Sequence, residues 1–157
     1  KRYTILTASI FLLLILGAWV SSSPNANQGC SIGFPDAWPK CQGDFFPSLD
    51  NSGILIQMVH RTGAGVVGIG LILGVMKFKE NAREQSIHEG FAKCLDIATL
   101  LWIVNVFVGG LYIVEAKMGD FPEGFSLLHL VLGVASFLAA AIGLMLLRIS
   151  EEGAEDE

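Results

Sequence analysis

The sequence predicts an all-α membrane protein, a four-transmembrane-helix bundle built from two parallel helical hairpin repeats. Three observations carry that prediction. The 157 residues are 52% apolar with a mean hydropathy of +0.57, too apolar for an ordinary soluble domain. Four apolar segments, at about 3–22, 53–77, 92–115 and 125–149, each supply the roughly 20 residues needed to cross a hydrocarbon core. The basic residues also divide unequally between the two sets of connections. With both termini inside, the cytoplasmic side holds seven (Lys1, Arg2, Lys77, Lys79, Arg83, Lys93 and Arg148), whereas the outer loops hold only Lys40 and Lys117.

Each segment follows in turn. The first is preceded by Lys1 and Arg2, as a secretory signal would be, but no small-x-small cleavage site follows it, so it is expected to remain as a helix. Loop 23–52 is rich in Ser, Pro, Asn, Asp and Gly, and a connection that long in a compact domain is expected to act as a lid or recognition element. The charge bias places it outside a cell membrane, with both termini cytoplasmic. The connection "FKENAREQSIHEG" then lies inside, where His88 is expected to be a solvated surface residue. One domain spans 1–150, and the tail 151–157, "EEGAEDE", is expected to be a solvated, frayed cytoplasmic end. That tail supplies much of the net charge of −5, and no basic patch suggests nucleic acid as a partner.

Cys30 and Cys41 bracket "CSIGFPDAWPKC" in the outer loop, an oxidising compartment, and are expected to form a disulfide. Closing so short a loop contributes roughly 3 kcal/mol in the chain-entropy account. A metal or redox pair is the alternative, but no His or third Cys lies nearby to complete such a site. Cys94 reads as a plain buried thiol. Trp38, Phe45 and Phe46 suit either interfacial anchoring or contact with a ligand.

Polar residues inside apolar spans need a partner or a task. Gln57, His60 and Arg61 lie in the second span and His129 in the fourth. Setting His60 against His129 lays "HRTGAGVVGIGLIL" over "HLVLGVASFLAAAIGLML", and the preceding spans end alike, in "LLILGAWV" and "VFVGGLYIV". Each half is therefore a hairpin of the same orientation. His60 is seven residues past Gly53 and His129 four past Phe125, so at 1.5 Å per residue they lie roughly 10 and 6 Å below their helix ends. A two-fold axis brings them to face each other in an apolar core, as axial ligation of a haem iron requires. Gly63, Gly65, Gly68 and Gly133 would let a flat macrocycle approach, although close helix packing explains the same glycines. Arg61 suits either a haem propionate or snorkelling to the head groups.

"GAWVSSSPNANQGC…AWPKC", "IQMVHRTGAG" and "FVGGLYIVEAKMGDFPEGFSLLHLVLG" together resemble the haem A synthase family in a short, single-bundle form. The resemblance runs across nearly the whole chain. It implies oxidation of the ring-D methyl of haem O to the formyl of haem A through hydroxylated intermediates, with His60 and His129 as iron ligands and Arg61 as a haem-binding residue. It also implies haem O as substrate, with haem b or haem A as further occupants, and a haem O synthase as donor. Larger relatives carry two four-helix halves, one holding a haem b cofactor and one the substrate, and this chain resembles the first half most.

One position departs from the family. The motif has glutamate three residues before the first histidine, and here that residue is Gln57. A glutamate there could relay a proton or stabilise a cation, and glutamine can do neither. Two explanations stand, an isosteric replacement introduced into the chain or a protein that manages without the acid. Glu115, near the outer end of span three, is the other acid at comparable depth and suits either that chemistry or an interfacial charge. A b-type cytochrome passing electrons, or a non-catalytic haem-binding assembly protein, are the alternative functions. A single bundle with one histidine pair has room for one bis-histidine haem, so a homo-oligomer, most simply a dimer in the membrane, is expected, with Gly109 and Gly110 on the close-contact surface.

Overall fold

The computed structural model describes residues 1–23, 26–84, 89–117 and 120–155. It contains α1 (Arg2–Ser22), a short 3-10 turn (Ala26–Gln28), α2 (Ser52–Glu84), α3 (Glu89–Val114) and α4 (Glu123–Glu155). All four α-helices are long and apolar enough to cross a membrane, over Arg2–Ser22, Ser52–Lys77, Gly90–Val114 and Glu123–Gly153. The four-helix, all-α membrane bundle predicted above is what the chain forms. Among the described residues there is no strand, only isolated bridges between Cys41 and Asp44 and between Lys117 and Asp120.

Hydrocarbon offers the backbone no hydrogen-bond partner, which forces each span to be a helix. The hydroxyls inside the spans comply in the same way: Thr7 donates to the Tyr3 carbonyl and Thr99 to the Leu95 carbonyl, each four residues back. At the start of α2, the Asn51 side-chain oxygen accepts from the Gly53 and Ile54 N–H groups at 2.8 and 3.4 Å, an ordinary N-terminal cap. The helices extend beyond the apolar segments. α2 continues to Glu84, and α4 continues to Glu155, so the first acids of the 151–157 tail are helical instead of frayed. His88 lies outside the described residues.

In cyclic order α1, α2, α3, α4, each helix packs on its neighbours, closest between α3 and α4, while α2 and α4 stand across the diagonal. Tyr3, Ile10, Leu71, Phe91, Leu95, Trp102 and Ala140 form a core towards the end of the bundle where the chain termini lie. At the opposite end a second, smaller core of Cys30, Cys41 and Ile54 ties the loop that precedes α2 down on that helix. The disulfide between Cys30 and Cys41 is formed. The outward faces carry exposed Ile5, Phe11, Ile69, Phe107, Leu138 and Ile142, as lipid-facing surfaces do. Between the two cores lie His60 and His129.

Candidate functional site

His60 on α2 and His129 on α4 come together from opposite corners of the bundle, with ring centroids 6.5 Å apart and planes inclined at 74°. Small residues on the other two helices make this possible. A Cβ at Gly109 of α3 would lie 2.7 Å from Cε1 of His129, and one at Gly17 of α1 would lie 3.2 Å from Cε1 of His60. Each imidazole therefore rests on a glycine of the preceding helix. Gly17 sits in "LLILGAWV" and Gly109 in "VFVGGLYIV", the two segment ends that the hairpin alignment pairs. The spatial equivalence of the two contacts agrees with a repeated hairpin.

The two rings differ in support. Nδ1 of His129 lies 3.0 Å from the Asn105 carbonyl oxygen, which can only accept, so Nδ1 carries the proton and Nε2 keeps its lone pair. A backbone carbonyl holding the far nitrogen is the usual way a ligating histidine is oriented. Nδ1 of His60 is buried without a hydrogen-bond partner. Asn105 is itself buried, with its Oδ1 unsatisfied, and Trp102 Nε1 is likewise buried and unpartnered.

These residues fit a haem. Two imidazoles on opposite sides of one iron, with metal–nitrogen bonds of about 2 Å and ring radii of about 1.2 Å, have centroids about 6.4 Å apart. Edge-to-face ring packing falls in the same distance range, so separation alone does not choose between them. Among the described residues no three or more His, Cys, Asp or Glu side chains cluster as a bare metal ion would need. A haem brings its own four nitrogens and asks only two of the protein.

Arg61 and Gln57 turn out to face the loop. Arg61 Nη1 donates to the carbonyls of Ala37 and Lys40 at 2.8 and 2.9 Å, and Nη2 donates to Gln57 Oε1 at 2.8 Å. Gln57, only 4% exposed, passes the chain of bonds on, its Nε2 donating to the Ala26 carbonyl. The loop is held from α3 as well: Gly33 N–H donates to the Ile113 carbonyl at 3.3 Å, and Trp38 packs on Gly110, where a Cβ would come within 2.6 Å of the indole. The loop from 26 to 51 is thereby fastened over the histidine end of the bundle. Phe45 and Phe46 instead stay exposed, Phe46 at 95%.

Three further placements bear on the expectations from sequence. Glu115 is exposed just past α3, its N–H closing the last turn on the Leu111 carbonyl, and the structure does not bring it to the imidazole pair. Gly63, Gly68 and Gly133 face Leu13, Trp102 and Leu14 respectively, which makes them helix-packing positions, while Gly65 faces open space. Gly109 and Gly110 are filled from within, by His129 and Trp38, and so are not the surface of contact between copies that the sequence suggested. Gly17 and Asn105 do not stand out in the sequence. The signal for Gly17 was its place opposite Gly109 in the aligned span ends.

Several curated proteins similar to this chain carry the name haem A synthase. Haem A synthase of Alkalihalophilus pseudofirmus is 27% identical over 157 residues, covering 99% of this chain and 48% of that protein. Haem A synthases of Bacillus cereus and Bacillus anthracis are 26% identical over 122 residues, covering 75% of this chain and 36% of theirs. This chain is similar to haem A synthases. It spans about half the length of the A. pseudofirmus protein and a little over a third of the Bacillus ones. No family profile and no solved structure matches it.

Proposed function

We propose that this bundle is a haem A synthase unit, holding a haem between His60 and His129 and oxidising the ring-D methyl of haem O to a formyl group through a hydroxylated intermediate. The facing imidazole pair, in a chain whose relatives are haem A synthases, is the observation that supports it. A bound haem would supply the iron and the redox chemistry. The chain's own residues bind and orient. His60 and His129 provide the axial nitrogens, Asn105 fixes the tautomer of His129, and the disulfide loop covers the site against water. Arg61 commits three of its five N–H groups to the loop and to Gln57, leaving two for a propionate carboxylate. The Gln57 amide takes up and releases no proton at working pH, so proton transfer falls to water. The loop end faces outward in a cell membrane, with both chain ends cytoplasmic.

Product chemistry tests the reaction. Co-expressed with a haem O synthase, the chain is expected to yield hydroxymethyl or formyl haem on extraction and chromatography. Haem O recovered unchanged from a protein with an intact low-spin spectrum would make this a b-type cytochrome or a haem-binding assembly protein instead. Because one bundle offers one histidine pair, we also propose a dimer as the unit that restores the two haem sites of two-half relatives. Native mass measurement in nanodiscs is expected to give twice the 16.9 kDa of the chain plus bound haem. An active monomer with one haem would overturn the two-site arrangement.

A further inference from the structure

The loop contacts give position 57 a task that a carboxylate could not perform. Gln57 lies one turn from Arg61 on α2, and its amide is used at both ends. Oε1 accepts from Arg61 Nη2, while Nε2 donates to the carbonyl of Ala26, 31 residues away in the 3-10 turn that opens the loop. Arg61 extends the same chain of bonds to the carbonyls of Ala37 and Lys40, on the far side of the Cys30–Cys41 loop. Three separate points of the loop are thus tied to two adjacent turns of the helix that carries His60. Ala26 and Ala37 are fully buried, so bulk water does not replace a bond lost there. A glutamate would keep the acceptor for Arg61 but has no N–H for Ala26, and would set a carboxylate oxygen against a carbonyl oxygen.

We propose that Gln57 is a positioning residue, whose donor and acceptor together lock Arg61 and the disulfide loop into one unit above His60, and that in this chain position 57 serves loop placement in place of proton transfer. The proposal rests on the haem-site reading only for the importance of what lies beneath the loop. The loop itself is read without haem.

The test measures how fast Cys30 and Cys41 react with a thiol reagent under a mild, fixed concentration of reductant, in the purified full chain in nanodiscs. Gln57→Glu, which preserves shape, is expected to speed labelling about tenfold, the scale of one lost buried hydrogen bond, and Gln57→Met more, because Arg61 then loses its acceptor too. Val66→Ala, at an exposed position on the lipid side of α2, is expected to label at the parent rate. In haem-loaded protein, Gln57→Glu is also expected to shift the reduction potential of the bound haem, a readout that a purely structural change far from His60 would leave alone. Parent-rate labelling in Gln57→Glu overturns the clamp, and a gain of formyl haem in that variant would assign the position to chemistry. Should Gln57→Met fail to fold, Arg61→Lys gives the same comparison from the other side, since lysine keeps the charge but cannot reach both Ala37 and Lys40 carbonyls while bonding Gln57. Loss of haem binding in the parent would sink the haem-site reading while leaving the labelling ranks unchanged.

Discussion

Replacing either His60 or His129 with alanine is expected to abolish low-spin, six-coordinate haem, because the iron loses one axial nitrogen and no other side chain stands ready to replace it. The unpartnered buried groups are poor substitutes: Asn105 and Trp102 offer an amide and an indole N–H, neither of which ligates iron as an imidazole does. Each single variant should show a five-coordinate, high-spin spectrum with reduced haem content, and the double variant should retain no specifically bound haem. The two singles should differ in degree. His129 is held by the Asn105 carbonyl and remains oriented when its partner is removed, whereas His60 has no such hydrogen bond and depends on the iron for its last contact. His60→Ala is therefore expected to keep more haem than His129→Ala. Absorption and electron paramagnetic resonance spectra of the purified variants, at matched protein, check both statements. A low-spin spectrum unchanged in either single variant removes that residue from the site, and His88→Ala serves as the control that should change nothing.

The histidines were legible in the sequence because hydrocarbon makes polar residues conspicuous: His60 and His129 stand out against the apolar residues around them at similar depth. The spans were legible for the same reason, and their ends were not, since α2 and α4 run on through charged residues that composition alone assigns to water. What holds the loop was hidden for a different reason. Arg61 and Gln57 bond to the carbonyls of Ala37, Lys40 and Ala26, and a backbone acceptor is the same whichever residue bears it. Gln57 stood out in the sequence as a polar residue inside an apolar span, but the Ala26 contact that uses its N–H appears only once the loop is folded back on α2. Glycines were ambiguous throughout. A small residue records that something comes close, and Gly110 reads identically whether the visitor is another chain or, as here, Trp38.

That ambiguity, once resolved, makes Gly109 the position where the smallest substitution should do the most. A methyl group there would sit 2.7 Å from Cε1 and 2.9 Å from Nδ1 of His129, well inside contact distance. Asn105 lies one turn before Gly109 on the same helix, so the ring cannot move off α3 without losing the hydrogen bond at 3.0 Å. Gly109→Ala thus displaces the imidazole and leaves its buried Nδ1–H unpaired, a cost of about 1–3 kcal/mol. Haem affinity is expected to fall roughly ten- to a hundredfold, with the low-spin signal weakened in proportion. Gly17→Ala meets His60 at 3.2 Å, a contact that a small ring movement relieves, and should cost less. Gly65→Ala faces nothing within 4 Å and should leave haem binding unchanged while favouring the helix by about 1 kcal/mol. Haem titration of the three variants, in the order Gly109 worse than Gly17 worse than Gly65, is the measurement. Full low-spin haem in Gly109→Ala would mean that His129 does not rest against α3 when haem is bound.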